Sequence, residues 1–547
     1  MNLLCSKNRP EIISRITTGD FDLLVVGGGV TGAGIALDAA ARGIRVALLE
    51  KSDFASGTSS KSTKLIHGGL RYLKQFEINL VREVGRERAI VHRLALHLVK
   101  AEKMLLPIVK NGTFSKWATS VGLWVYDFLA GVEGDDRRKM LSKEQVVALE
   151  PHLRQYDLLG GGLYAEYRTD DARLTIELVK TAVRLGAICL NYAKVDDFIY
   201  RNGKITGLHF TDELTGTAHR VAGKVVVNAA GPWVDELRKK DNSLYGKRLF
   251  LSKGVHLVVP HNRLPLKHAV YFDLPDGRMM FAIPRWRKTY LGTTDTPFEG
   301  NLDDVHADSG DVEYILAGAN AMFPKAELTA GDVESSWAGL RPLIYEDGKS
   351  ASEMSRKDEV FKSETGLISI AGGKLTGYRK MAERVVDLVA LFLFKKTGTR
   401  YQPCLTDQIP LTEIPFNKPE EVADFQQIIR RKLEDMKLPA GYATALVENY
   451  GRAAAYILNL PAVGQSDPEV ALATNELAYC LEHELVMKPL DFFERRSGRL
   501  YFHAGIIHRL TEPLLRVFQL YFGWDEASVD AEKQQLESVL KNVSTFT

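Results

Sequence analysis

The chain has 547 residues, 45% hydrophobic and 26% charged, the make-up of a globular protein of about three domains. Its 71 basic and 69 acidic residues leave a net charge of +2, which excludes the global basic field of a nucleic-acid binder. Four scattered cysteines without a C-x-x-C argue against a disulfide framework or thiolate metal site. The short apolar start and the lack of any apolar run near 18 residues predict a cytosol-side protein without a membrane span.

The stretch Phe21–Glu50 carries the first clear motif. Leu23–Val26 is an apolar, β-branched run and reads as a buried parallel strand. Gly27, Gly29 and Gly32 then form G-x-G-x-x-G, the glycines that permit a tight turn, close approach to a pyrophosphate and close helix-to-strand packing. A helix over Ala33–Arg42 would direct its N-terminal N–H groups at that pyrophosphate, Gly43 would end it, and Arg45–Leu49 would form a second strand. Glu50 closes that strand where an acid binds adenosine-ribose hydroxyls. The frame predicts dinucleotide binding and leaves NAD or FAD open.

Next comes a hydroxyl-rich stretch, Ala55–Lys64, in which Gly57, Thr58, Ser59 and Ser60 could extend the pyrophosphate site, followed by Leu65–Tyr72, where Gly68 and Gly69 allow approach to a flat ring. Residues 78–103 read as a long charge-laced helix. Between Val81 and Lys116 eight Lys/Arg face three acids, ahead of the aromatic stretch Thr113–Gly131. Trp117, Val121, Trp124 and Phe128 share one helical face there. A core-facing helix and an interfacial membrane anchor both fit.

Glu150–Asp170 reads as turn-rich, Asp171–Leu185 as a helix, Ala187–Tyr192 as a strand and Lys194–Arg220 as a meander with Asn202-Gly203 and Thr215-Gly216 turns. Lys224–Asn228 is a late buried strand ending in a glycine turn, as in a dinucleotide fold interrupted by an insertion. Strands at Gly254–Pro260, Met279–Pro284 and Thr289–Gly292 predict a second sheet roofing a cavity. Arg341 follows in a Gly-Leu-Arg-Pro loop, and Leu367–Arg379 reads as strand, Gly-Gly turn and the start of a helix reaching Phe394. That helix start could stabilise negative charge on a reduced ring. Beyond Tyr401, helical segments Glu420–Lys437, Ala443–Leu460, Glu469–Met487 and Arg499–Phe522 predict a separate all-α domain.

The motifs VVGGGVTGAGIALDAAARG, GTSSKSTKLIHGGLRYL, TDDARL, NAAGPWVDE, KGVHLVV, AGLRPL and AGGKLTGYRK, in unbroken order from about residue 20 to 395, resemble the FAD-dependent glycerol-3-phosphate dehydrogenases of the D-amino-acid-oxidase-like flavoproteins. IHGGLRYL together with GGKLTGYRK is the more specific part. The resemblance implies an α/β fold: a Rossmann-type FAD-binding domain interleaved with a β-sheet-rich substrate domain over residues 20–400, then an all-α domain over 401–547. The FAD part would take about 20–110, 150–247 and 335–400, the substrate part about 111–149 and 248–334. It implies oxidation of sn-glycerol 3-phosphate to dihydroxyacetone phosphate, hydride passing to FAD and electrons to a membrane quinone. It also implies FAD contacts at Gly27, Gly29, Gly32, Glu50, Thr58, Ser59, Ser60, His67, Gly68, Val195, Gly231, Gly373, Leu375 and Thr376.

A phosphorylated polyol needs cations for its dianion and a base for its hydroxyl. The family motifs set Arg71, Arg341 and Lys374 at the substrate end of the flavin, with Tyr72 and Arg356 nearby, and favour His256 over His67 as base. A lysine at the positive end of a helix dipole is locally unfavourable, so a bound anion would explain Lys374. No metal is expected. A flavin oxidase acting on an amine or amino acid, and a flavin-binding regulatory protein without turnover, are the rival readings. An oxygen-using branch of the family carries an extra insertion that this sequence lacks, which favours the quinone-linked branch. A quinone acceptor implies attachment to anionic lipid on the inner face of the cell membrane, and the resemblance leaves room for a homodimer.

Overall fold

The computed structural model describes residues 2–66, 78–112, 137–345, 358–461 and 466–546. Two sheets and a helical tail make up the fold. In the first sheet the parallel strands run Leu367–Gly372, Thr217–Asn228, Asp20–Val26, Val46–Leu49 and Ile188–Leu190. Asp20–Val26 is buried at six of its seven positions, because helices cover both faces of a parallel sheet. The helix Val30–Ala41, nearly all of it buried, is held between the helices Asp171–Arg184 and Tyr378–Thr397. The hairpin Ala193–Arg201 and Lys204–Asp212 precedes Thr217–Asn228, a single strand whose start completes the meander and whose end returns beside Asp20–Val26. The sequence pattern predicts instead a meander to Arg220 and a separate strand Lys224–Asn228.

The second sheet has ten described strands, with Leu249–Pro260 flanked by Lys288–Gly292 and Ser335–Ile344. Leu257, Val255, Leu291, Val270 and Ala282 on one face bury against the helix Ser309–Met322. Val258, Tyr290, Ile283 and Trp337 on the other join one core with the tail helices. Strands Lys100–Val109, Leu158–Arg168 and Ser335–Ile344 all belong here rather than to the first sheet.

Several elements differ from expectation. The helix after residue 78 ends at Leu94, and Lys100–Val109 is a strand. Its charges occupy the strand's exposed start, while Met104–Val109 is buried. Leu158–Arg168, expected as turns, is an eleven-residue strand whose glycines serve packing: a Cβ at Gly161 would lie 2.8 Å from Val146 of the helix Lys143–Leu149. Arg341 sits in a strand, not a loop. The segment Ala443–Leu460 breaks at Gly451, where φ is +55°, into Gly441–Tyr450 and Ala453–Asn459. A further helix, Glu526–Ser544, ends the tail.

The helical tail docks firmly on the rest of the chain. Asp53 pairs with Arg495 and Arg496, Arg173 with Glu484, and Arg168 with Glu448, all buried where the tail meets the rest of the chain. Such pairs carry no apolar periodicity, so the helical pattern alone could not reveal the contact. Among the described residues no helix is long and apolar enough to cross a membrane.

Candidate active site

The glycine motif divides its work. Gly27 has φ +108°, and a Cβ there would lie 2.5 Å from the Ala229 carbonyl oxygen. A Cβ at Gly32 would lie 1.9 Å from the Gly27 oxygen, so this glycine sets how closely helix meets strand. At Gly29, which caps the helix, a Cβ would meet only the Ser59 side chain, leaving open space in front of the helix N-terminus. Glu50 is buried and accepts from Gly28 N at 2.6 Å and Ser52 N at 3.0 Å. Burial pushes its pKa up while those two N–H groups oppose the shift. Its remaining lone pairs can accept ribose hydroxyls.

Around this frame lies a cavity of about 370 Å³. Gly27, Gly29, Glu50, Thr58, Ser59, Val195, Gly231, Gly373, Lys374 and Leu375 of the expected residues line it. Gly32, Ser60 and Thr376 do not, the last two being buried. The hydroxyls are already engaged: Thr58 donates to Leu340 O at 2.6 Å, and Ser59 Oγ accepts from Val30 N at 2.9 Å. Ser59 keeps its own hydrogen to donate, and Thr58 keeps lone pairs. An open helix N-terminus, a buried acid at the next strand's end and a cavity between them fit a dinucleotide with its adenosine at Glu50.

The second sheet meets this cavity at Pro342, next to Arg341. Ser252 pairs with Arg341 and His256 with Trp337 across neighbouring antiparallel strands, so alternation puts His256 and Arg341 on the same side. His256 is 1% exposed, its Nε2 lies 2.9 Å from Thr63 Oγ1, and its ring stacks on Trp337 at 4.9 Å. Burial, then the charges of Arg341 and Lys64, hold its pKa well below the ordinary value, so the ring is neutral at neutral pH. Arg341 donates to Thr294 O at 3.0 Å, Thr293 Oγ1 at 2.8 Å and Asp295 at 3.2 Å, lying over Gly254, where a Cβ would clash with it. Lys374 opens the short turn Leu375–Gly377 ahead of the helix Tyr378–Thr397 and lines the cavity.

His67, Gly68, Arg71, Tyr72 and Arg356 lie outside the described residues, as does the aromatic stretch from Trp117 to Phe128. Lys64 and Thr63 were missed. Lys64 is buried with φ +58° and reaches Asp171 at 2.6 Å, a cation whose charge acts on His256 and that a hydroxyl-rich segment does not advertise. The TDDARL motif, which supplies Asp170 and Asp171, was its only sequence signal. Among the described residues no cluster of three His, Cys, Asp or Glu side chains could hold a metal ion.

The family model for FAD dependent oxidoreductases matches residues 22–379, and that for the C-terminal domain of alpha-glycerophosphate oxidase matches 404–529. The chain is 47% identical over 541 residues to the aerobic glycerol-3-phosphate dehydrogenase of Bacillus subtilis, covering 98% of this chain and 97% of that one. It is 44% identical over 547 residues, with the same coverage, to the enzyme of that name from Staphylococcus aureus strain MRSA252. The crystal structure of glycerol-3-phosphate dehydrogenase from Bacillus halodurans complexed with FAD superimposes with a TM-score of 0.84 at 45% identity, covering 99% of each chain. L-alpha-glycerophosphate oxidase from Mycoplasma pneumoniae shares the fold, with a TM-score of 0.56 at 18% identity over 73% of this chain and all of that one. The chain belongs to the FAD-dependent glycerol-3-phosphate dehydrogenase family of flavoproteins.

Proposed function

We propose that this chain oxidises sn-glycerol 3-phosphate to dihydroxyacetone phosphate and passes the electrons to a membrane quinone. One observation carries the reading: a neutral, buried His256 and the cation Arg341 share one side of a sheet that meets the cavity holding Lys374. In the tautomer whose Nε2–H donates to Thr63, Nδ1 keeps a lone pair, and that atom has no hydrogen-bond partner among the described residues. Nδ1 takes the proton of the C2 hydroxyl. The helix N-terminus at Gly29 and the Glu50 carboxylate would hold FAD, which would supply the hydride acceptor for C2. Arg341 and Lys374, with Arg71 and Arg356, hold the phosphate dianion, and Tyr72 borders it. The wall of Trp337 and Tyr290, both buried, keeps water from the base.

The first sheet carries the cofactor and the second the substrate roof, with residues 401–547 as a bracing helical domain. Anaerobic spectra of the FAD-loaded protein test the reading. Glycerol 3-phosphate should bleach the flavin, and a soluble quinone analogue should reoxidise it much faster than air. Bleaching by amino acids and not by glycerol 3-phosphate would make the protein an amino-acid oxidase. Fast reoxidation by air would put it with the oxygen-using branch.

A further inference from the structure

A cavity of about 960 Å³ opens between the second sheet and the tail, on the side of the sheet that carries His256. Phe281 pairs with Gly292, which pairs with His256, and Arg285 lies four residues further along the same strand. Arg285 lines the cavity and is 2% exposed. Its Nη2 donates to Asp170 at 3.0 Å, while Nε and Nη1 are buried without an acceptor among the described residues. Phe502 and Trp286 cover the guanidinium at 4.2 and 4.6 Å, which fixes its plane.

Trp286 follows at the hairpin tip with φ +55°, a region that bulky side chains rarely adopt. Its indole N–H is also buried without an acceptor, and its ring lies parallel to His503, which packs on Tyr442. The remaining charges make the cavity positive. Arg168 is committed to Glu102 and Glu448, and Arg509 to Glu469. Arg287 and Lys267 make no ion pair among the described residues. A buried guanidinium with two unused donors, beside an unused indole donor, is costly unless an acceptor fills the space.

We propose that this cavity is a second anion site, for an organic phosphate or carboxylate carrying a flat apolar group. The anion accepts from an unpaired N–H of Arg285 and from the indole N–H of Trp286, with Arg287 and Lys267 adding charge at the rim. The flat group lies against the Trp286, His503 and Tyr442 wall. The site is separate from the catalytic centre.

Calorimetric titration of the FAD-loaded full chain tests it, with phenyl phosphate, inorganic phosphate and phenol as probes. Dihydroxyacetone phosphate is present in excess to fill the catalytic site, a step that rests on the function proposed above. One phenyl phosphate per chain should still bind, more tightly than inorganic phosphate or phenol. Arg285→Gln should weaken it about tenfold or more, the scale for hydrogen bonds to a charged group. Arg287→Ser, which leaves Asp170 its partner, should weaken it severalfold and keeps the test open if Arg285→Gln fails to fold. Unchanged affinity in Arg287→Ser and in a folded Arg285→Gln overturns the proposal, as does the absence of binding. Displacement by dihydroxyacetone phosphate that is unchanged in Arg287→Ser would put the probe in the catalytic site and also overturns it. Tighter binding of neutral menadione than of phenyl phosphate would reassign the cavity to the electron acceptor. Neither variant belongs to the catalytic centre, so their effects stand even if the substrate assignment fails.

Discussion

The Asp53 carboxylate accepts two hydrogen bonds from the Arg496 guanidinium, at 2.7 and 2.9 Å, in a pair with no solvent exposure on either side. Arg495 adds a third at 2.7 Å. Asp53 stands three residues after Glu50, so the tail is fastened directly behind the cofactor loop. Burial pushes the Asp53 pKa up, but Arg496 and Arg495 outweigh it and hold the carboxylate ionised. Removing Arg496 takes both of its hydrogen bonds from a buried carboxylate that Arg495 and Asn191 alone then serve, so Arg496→Met should destabilise the protein by up to about 3–5 kcal/mol. Replacing both partners with apolar residues should recover much of that loss. Urea unfolding of the single and double variants checks it. Equal losses in both would mean that packing, not charge, joins the tail.

The glycine geometry separates folding from cofactor binding. Gly32→Ala forces a carbon into the Gly27 carbonyl and should impair folding even without FAD. Gly29→Ala meets only the Ser59 side chain, 3.1 Å from its Oγ, and should lower the apoprotein's unfolding midpoint far less. It should still weaken FAD binding, because the added carbon occupies the approach to the helix N-terminus. Flavin content and apoprotein stability, measured on the same preparations, distinguish the two effects. Full FAD retention in Gly29→Ala would remove the pyrophosphate from that position.

His97 reports the seam between the first part of the chain and the tail. It is buried against Phe416 and Gly451. Burial first, then the charges of Arg173, Lys180 and Lys100, pull its pKa down to about 3. The unfolded chain binds this proton near pH 6.5 and the folded chain does not, so the stabilisation is complete above pH 6.5 and is lost as pH falls toward 3. The loss attributable to His97 between pH 7 and pH 5 is about 2 kcal/mol. His97→Leu should remove that part of the acid slope in unfolding experiments at the two pH values. An unaltered slope would assign it to other groups.

The cofactor half was legible because its constraints are local. A strand, three glycines, a helix and an acid follow one another within thirty residues, and each is visible as composition or period. The second sheet was legible only in part. Its longest glycine run, Gly160–Gly162, imitates a turn, although at its middle residue, Gly161, a Cβ would meet Val146 of the helix Lys143–Leu149. Arg341 looked like a loop residue because Gly339 and Pro342 flank it. Gly339 is there for contact with Lys61, where a Cβ would lie 2.5 Å from the Lys61 oxygen. Lys64 and the Asp53–Arg496 lock depend on side chains hundreds of residues apart or on a left-handed backbone, neither of which has a period to read.

The catalytic pH profile should differ from that of an ordinary histidine. The acidic limb of kcat/KM, which reports the free enzyme, should lie well below pH 6.5, because burial and two cations disfavour the imidazolium. His256→Asn should abolish the limb and lower kcat sharply while FAD stays bound. Arg341→Gln removes one of the cations and should move the limb upward, besides costing roughly 2–5 kcal/mol in kcat/KM for glycerol 3-phosphate. Unphosphorylated glycerol should lose far less. A limb that stays put in both variants would make His256 structural and turn attention to His67.

The last expectation concerns the membrane. The substrate is water-soluble and a quinone acceptor lives in lipid, and no helix among the described residues spans a membrane, so a quinone-linked enzyme built this way must touch the bilayer at its surface. The sequence directs attention to Trp117, Trp124 and Phe128 beside the basic excess of Val81–Lys116. Among the described residues a second group offers a comparison. Leu391, Phe392 and Phe394 stand exposed at the end of the helix Tyr378–Thr397, next to the exposed Lys395 and Lys396. The protein should bind anionic vesicles, each nearby Lys or Arg contributing on the order of 1 kcal/mol, and salt should weaken the binding. Changing Trp117, Trp124 and Phe128 together to Ser should release it from vesicles while activity with a soluble dye acceptor persists. Loss of FAD or of the fold in that variant would show that the stretch is core. Retained vesicle binding there, with release on changing Leu391, Phe392 and Phe394 to Ser, would move the anchor to the end of that helix.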